Sequence, residues 1–582
     1  MKRIHYILFI LVAFLMSSCY DLNRYPQDQL SAGTFYKNDT QAKEGVMGVY
    51  SGLRYGYAFG IYWANDCLSD IGYGYDDNVG MQSIVQNAFD ATSAHVTARW
   101  QHTYDVIRKA NTVIRNVSAS STISDDVKTK VIAEAKFLRA LLYFHLTNYF
   151  GGVPIYDESI DYDKDYMSLQ SPRSSLEDVR KFIIKDLTDA IAGLPVCWDQ
   201  SNYGRATLGA AYALRGKVYL FAKDYASAAK DFEEIVKDPG QRGYGYQLYA
   251  NYADLFTQKA HNSSEMIFSI QNYLAAGYNL GMGFDHYVGN YVSFGFGWNN
   301  VLPSVALADS YELKNGKKFN WDDFFPGYNA NLNNYRLNLY TSVLDPADNK
   351  KVKTYTKDLD ALKAMYDQRD PRMAATLMLP YSHYVGQFSS SSENFEYVIA
   401  QGTNNGHYVC PCRFYYPNVL YLFRKFVPEG NMDGQLTKKS DRDYTPINFP
   451  LIRYADVLLM LAECQNELGN VDAAVAYINQ VRARSGMALI NGGDSWMEAR
   501  TKSAVLDRIK HERAVELALE GHRYSDLKRW GMLKDAMTGP VKDIVGNTLF
   551  DRQPFTDALL LWPVPTKARD ANPNLDQNPG WK

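Results

Sequence analysis

The stretch from Tyr212 to Gly240, YALRGKVYLFAKDYASAAKDFEEIVKDPG, constrains the fold of this chain more than any other. Apolar and small residues recur there at three- and four-residue intervals, the period of an amphipathic helix. Lys223-Asp224-Tyr225 interrupts the pattern once, so the stretch reads as two helices joined by a turn. Gly216 falls where a small residue lets two helices approach, and Tyr219, Ala228 and Phe232 fall where side chains fill the space beside it. Such a pair cannot bury both of its faces alone and needs neighbours stacked on it.

The spacing is that of a tetratricopeptide repeat, with Arg215 standing where the repeat prefers Leu. Leu458, Leu461, Ala462, Gly469, Ala474 and Ile478 repeat it within a helical stretch over 450–486. Helix period also predicts elements over 39–56 with Asp39 or Thr40 as N-cap, 95–117, 124–149, 176–195, 357–366 and 502–530. Residues 265–274 read as a strand, whereas Gly interrupts 275–300 too often for regular structure. The expected fold is mainly α, a tetratricopeptide-like helix-pair superhelix supporting a loop-rich, irregular insertion with a few short strands. One domain over 36–582 is expected, with helical repeats at 36–250 and 446–582 and the insertion at 251–445. The matching spacing of the two pairs implies that the two ends stack into one core.

Hydrophobic residues make up 46% of the 582, enough for a sizeable core. A formal net charge of -3 and the absence of a basic run give no electrostatic basis for nucleic-acid binding. Tyr is abundant, at 45 residues, and a ring with a polar tip suits amphipathic ligands, although cores of helical repeats use Tyr as well. Cys410-Pro411-Cys412 is too closely spaced for a metal or redox motif, so no metal site is assigned. No nucleophile elbow, zinc-binding H-E-x-x-H, P-loop or complete G-x-G-x-x-G occurs, and no cofactor or catalytic residue is assigned.

At the front, Lys2-Arg3 precedes the apolar run 7–16, too short to span a membrane as a mature helix. Met16-Ser17-Ser18-Cys19 follows, and small residues directly before a Cys resemble the lipobox of bacterial lipoproteins. Residues 1–18 then form a lipoprotein signal peptide, Cys19 is the acylated residue, and 19–35 is a tether. More than one acyl chain is needed for stable anchoring.

Several segments, in order, resemble the SusD/RagB-like outer-membrane lipoproteins of Bacteroidetes-type bacteria. They are Cys19 with RYPQDQLS, FLRALLYFHLTNYFGGVPIY at 137–156, RDPRM at 369–373, RYADVLLMLAE at 453–463, HERAVELALEGHRYSDLKRWG at 511–531 and NPNLDQNPGW at 572–581. The resemblance implies a non-catalytic protein, lipid-anchored in the outer membrane and exposed at the cell surface. It implies binding of an oligosaccharide, or in some members a peptide, for a SusC-like TonB-dependent transporter. The residues leave two other classes open: a lipid-anchored glycoside hydrolase and a repeat scaffold that binds only protein.

A sugar site wants aromatic platforms beside side chains that bridge neighbouring hydroxyls. Two stretches offer this, and loops from similar regions line the ligand site in the family. The first, 61–80, supplies Trp63, Tyr73, Tyr75, Asp76 and Asn78, with Asp77 between them. The second, 284–300, supplies Tyr287, Tyr291, Phe296 and Trp298, with Asn290 and Phe294 nearby. Packing of these rings against the helical scaffold is the competing reading. Asp76-Asp77-Asn78 lacks EF-hand spacing, which argues against Ca²⁺. The cluster Glu512, Arg513, Glu516, Glu520, Arg523, Asp526 and Arg529 superficially offers a carboxylate pair, Glu516 and Glu520, for glycoside hydrolysis. Arg residues three or four positions from a carboxylate make a ladder of ion pairs the simpler account.

Overall fold

The structure is a computed structural model that describes residues 35–165, 168–237, 244–275, 278–387, 392–400 and 418–582. Residues 1–18, read above as a signal peptide, and Cys19, Cys410 and Cys412 lie outside the described residues. The architecture is mainly helical with small two-stranded sheets. In order come α1 (Asp39–Gly52), β1 (Gly72–Gly74), α2 (Ala94–Ala119), α3 (Asp125–Phe150), α4 (Leu176–Gly193), α5 (Leu208–Phe221) and α6 (Tyr225–Val236). Then follow β2 (Met266–Ile270), β3 (Val301–Pro303), β4 (Phe449–Arg453), α7 (Tyr454–Glu467), α8 (Val471–Arg484), α9 (Lys502–Glu516) and α10 (Arg523–Arg529).

Helices α2 to α6 pack each on the next, and α6 packs on α7, so the superhelix continues across the insertion into the C-terminal part. The joint is polar as well as apolar: Gln465 Nε2 donates to Glu233 Oε1 at 2.8 Å, and Lys217 reaches Asp456 at 3.2 Å. Within the α5/α6 pair, a Cβ placed on Gly216 would lie 2.7 Å from the Phe232 ring. The ring therefore occupies the space that a side chain at 216 would need. Arg215 pairs with Asp231 of α6 through bonds of 2.8 and 2.7 Å, so an interhelical ion pair replaces the usual Leu contact. Gly216→Val is expected to destabilise by about 1–3 kcal/mol through overpacking. Gly48→Ala, where nothing lies within 4 Å of the added Cβ, is the control. A thermal melt in which both variants match the parent would refute the close approach.

Three local expectations are corrected. Asn38, not Asp39 or Thr40, caps α1, accepting from Gln41 N at 2.9 Å, while Asp39 accepts from Ser124 N and Oγ, both at 2.8 Å. Residues 450–453 are strand, paired antiparallel with β2 with Phe449 opposite Ile270 and Arg453 opposite Met266. A short apolar run buried on all sides does not reveal its period. The last helix is broken between α9 and α10, where Leu519 and Gly521 take left-handed φ values of 63° and 78°. A Cβ on Gly521 would lie 2.2 Å from the carbonyl oxygen of Tyr62, so only glycine fits this approach. Glu520 consequently does not share a helix face with Glu516. In the 275–300 stretch, the described residues include the short strand Tyr278–Leu280 and the single turn Phe284–Tyr287.

The charged cluster is a buried network closed by tertiary contacts. Arg372, Lys425, Arg453, Arg482, Arg484 and Arg508 pair with Glu265, Glu312, Asp370, Glu512, Glu516 and Glu520 in one connected set. Six cations face six carboxylates, so the set is neutral as a whole. A second set beside it joins Lys217, Arg513 and Arg529 to Asp456, Asp526 and Glu463. The local ladder is thus only partly right: Arg529 meets Asp526 three residues away, but Arg523 pairs with Asp70 and Arg513 with Asp456 and Asp526.

Candidate functional site

Strand β1 pairs antiparallel with β3, with Gly72 opposite Pro303, Tyr73 opposite Leu302 and Gly74 opposite Val301. This pairing brings the two aromatic stretches together, because one continues from β1 and the other ends at β3. After β1 the chain folds back so tightly that a Cβ on Gly74 would lie 1.9 Å from the carbonyl oxygen of Gly80. Asp76 holds this turn, accepting from Gly80 N at 3.1 Å and from the Asn300 side chain. Asp77 accepts from Ser83 N at 2.9 Å and meets His95 Nε2 of α2 at 3.0 Å, which fastens the turn to the scaffold. Both carboxylates have these partners, and Asn78 is exposed at the tip.

The second stretch closes on itself. Gly289 O accepts from Asn299 N at 3.0 Å and His286 O from Trp298 N at 2.7 Å. A Cβ on Gly297 would lie 2.3 Å from Gly289 O, so no side chain fits inside that closure. The His286 ring stacks on Tyr287 with centroids 4.3 Å apart and meets Trp298 edge-on at 4.5 Å. Tyr291 and Phe296 stack at 5.3 Å. Tyr75 crosses from the first stretch and donates its hydroxyl proton to Trp298 O at 2.7 Å. Tyr75, Tyr287, Tyr291 and Phe296 are half-buried and Trp298 is 40% exposed, a shelf of rings on a fixed backbone.

Trp63 and Tyr73 do not belong to that shelf. Trp63 has no exposed surface and packs against Phe284 at 5.5 Å, and Tyr73 is 3% exposed. The short turn Tyr62–Leu68 and the β1/β3 pair direct both rings inward, so their place is the core, a correction to their assignment as ligand contacts.

A third segment, the turn Lys439–Tyr444, completes the rim and was not singled out in the sequence. Arg442 donates to Gly295 O at 2.6 Å and Phe296 O at 3.0 Å, with its guanidinium 5.4 Å from the Trp298 ring centre. Lys439 lies 5.2 Å from the Phe296 ring, and Asp443 bonds His286 Nδ1. The run KKSDRD reads as a solvated loop, and only the tertiary fold reveals its neighbours. Behind the rings, Asp285, Asn299 and Asn300 are fully or almost fully buried. Both Asp285 oxygens, both Asn299 amide atoms and Asn300 Oδ1 have no protein hydrogen-bond partner. Burial pushes the Asp285 carboxyl well above the usual range. Among the described residues, no group of three or more His, Cys, Asp or Glu side chains is placed to hold a metal.

Glu516 and Glu520 lie in the buried network, both with no exposed surface. Against burial, which pushes it up, the charges of Arg484, Arg453 and Arg372 hold the Glu516 carboxyl well below its usual value. A general acid needs the opposite shift and access to substrate.

A helix-pair scaffold that carries an aromatic shelf on irregular loops is the class defined by fold and site. The chain belongs to the SusD family: the family model matches residues 264–581, and a second model, described as starch-binding associating with outer membrane, matches 65–220. SusD-like protein P25 of Formosa agariphila is 24% identical over 546 residues, covering 91% of this chain and 90% of that one. Among solved structures, a SusD-like carbohydrate-binding protein from Bacteroides fragilis superposes with a TM-score of 0.72 at 25% identity, covering 93% of this chain and 100% of that one. Surface glycan-binding protein A from Bacteroides thetaiotaomicron, in complex with laminarihexaose, gives 0.61 at 20% identity over 93% and 99% of the two chains.

Proposed function

We propose that this protein binds a glycan at the cell surface and passes it to a SusC-like TonB-dependent transporter in the outer membrane. It holds the ligand without cleaving it. The observation that carries the reading is the ring shelf of Tyr75, Tyr287, Tyr291, Phe296 and Trp298 with Asp76, Asn78 and Arg442 at its edge. Such a surface stacks on the C–H faces of sugars while its polar rim reaches their hydroxyls. Family membership and the carbohydrate-binding neighbours support the ligand class, and the segment around Cys19 supports a lipid anchor. No helix among the described residues is long and apolar enough to cross a membrane. A binding role is favoured over hydrolysis because the only carboxylate pair suggested by the sequence is sealed among Arg and Lys side chains. Native gels cast with laminarin, starch or xylan test the reading. Retarded migration in at least one, with no reducing ends formed on prolonged incubation, is the expected result. Release of reducing ends that stops when a single shelf carboxylate is replaced would overturn it.

A further inference from the structure

A second concavity lies between the chain preceding α5 and strand β2, and it shares no residue with the shelf. Its volume is about 300 Å³, and it reaches solvent at the exposed residues Cys197 and Asn262. That volume is at the small end of ligand pockets, ~300–1,000 Å³, room for one ring and not a chain.

The walls are aromatic and fixed. The rings of Tyr244 and Tyr246 stack with centroids 5.9 Å apart and planes 8° from parallel. Trp198 donates Nε1–H to Ala206 O at 2.8 Å, and the Arg205 guanidinium covers its ring at 4.0 Å. Among the described residues Arg205 is the one charged residue in the lining, and Glu134 neutralises it through bonds of 2.9 and 2.5 Å. Ser269 of β2 is 4% exposed, and its Oγ has no protein hydrogen-bond partner. The Oγ of Ser263, also in the lining, is buried in the same condition.

These features select a ligand by elimination. An ionic group would find no free counter-charge among the described lining residues, since Arg205 is already paired. A purely apolar group would leave the Ser269 hydroxyl unpaired, at a cost of about 1–3 kcal/mol. A neutral ring with an apolar face and several hydroxyls satisfies both walls and floor. We propose that this concavity is a second binding site, taking a single uncharged sugar residue. The ligand class rests on the glycan-binding reading, but the site itself does not depend on the shelf. One glycan chain long enough to be held at both points would gain from effective concentration without new contacts at the shelf.

Saturation-transfer NMR with D-glucose, D-galactose, D-mannose and D-xylose, each alone, tests the proposal on the Trp298→Ala protein, whose shelf is disabled. A signal from at least one sugar is expected, abolished when Ser263→Phe is added to fill the pocket. Ser269→Val, which removes the hydroxyl and narrows the floor, is expected to abolish it as well, and it serves should Ser263→Phe fail to fold. Silence of all four sugars on Trp298→Ala overturns the proposal, as does a signal that survives both pocket variants. If the parent protein binds no oligosaccharide while the pocket signal persists, the shelf reading fails and this one stands.

Discussion

Replacing Trp298 with Ala is expected to weaken glycan binding roughly 30-fold, the loss that follows from removing a hot-spot aromatic worth about 2 kcal/mol. The ring is 40% exposed and touches the scaffold through His286 and Arg442, whereas its backbone carries the bonds that hold the loop. Alanine keeps those backbone bonds, so stability is expected to stay within about 1 kcal/mol, as for substitutions away from the core. Isothermal titration beside a thermal melt separates the two effects. A variant that loses binding and melting temperature together would make Trp298 a packing residue and not a platform. Trp63→Ala supplies the contrast. Its ring is fully buried, and about 3–5 kcal/mol of stability is expected to go with it.

Arg453→Ala is expected to be as damaging to stability as Trp63→Ala. Arg453 bonds Glu265, Glu516 and Glu520, each at 2.7 Å, and none of the four residues is exposed. Removing one partner of a buried pair costs about 3–5 kcal/mol, because the charge left behind has no water to solvate it. Arg453→Lys keeps the charge but loses the planar fork that reaches several carboxylates, and an intermediate loss is expected. Acid gives a second reading of the same network. Although burial pushes it up, the charges of Arg372 and Arg482 depress the Glu512 carboxyl to about 2. A carboxyl lowered in the folded state stabilises above its unfolded value, about 4.3, and that contribution is lost as pH falls toward the folded one. Stability is therefore expected to decline from about pH 4 toward pH 2. A denaturation midpoint that stays flat across that window, or an Arg453→Ala protein as stable as the parent, would refute the account of the network.

The scaffold was legible because helix pairs write their packing into local spacing. Gly216 and Phe232 are sixteen residues apart, and a period of three to four is enough to pair them. The continuity of the two ends was legible for the same reason, and α6 does pack on α7. The site was less so. Composition marks 61–80 and 284–300 as aromatic and polar but not which rings face out, since a strand turns alternate side chains to opposite faces. Tyr73 is inward because of the β1/β3 pair, which joins residues more than two hundred positions apart, and Trp63 is inward on the turn Tyr62–Leu68 that precedes β1. The contribution of Arg442 and Asp443 left no local trace, and neither did the long-range ion pairs of Arg453. The pair with Glu520 depends on the break after α9, which turns Glu520 toward Arg453 and Lys425.

The most direct measurement is a broad screen of glycans and peptides against the chain lacking its first 19 residues, run in parallel with Trp298→Ala. Retention of at least one oligosaccharide by the parent, and its loss from the folded variant, is the expected result. A blank screen from folded protein that still captures a TonB-dependent transporter would contradict it, leaving a repeat scaffold that binds only protein.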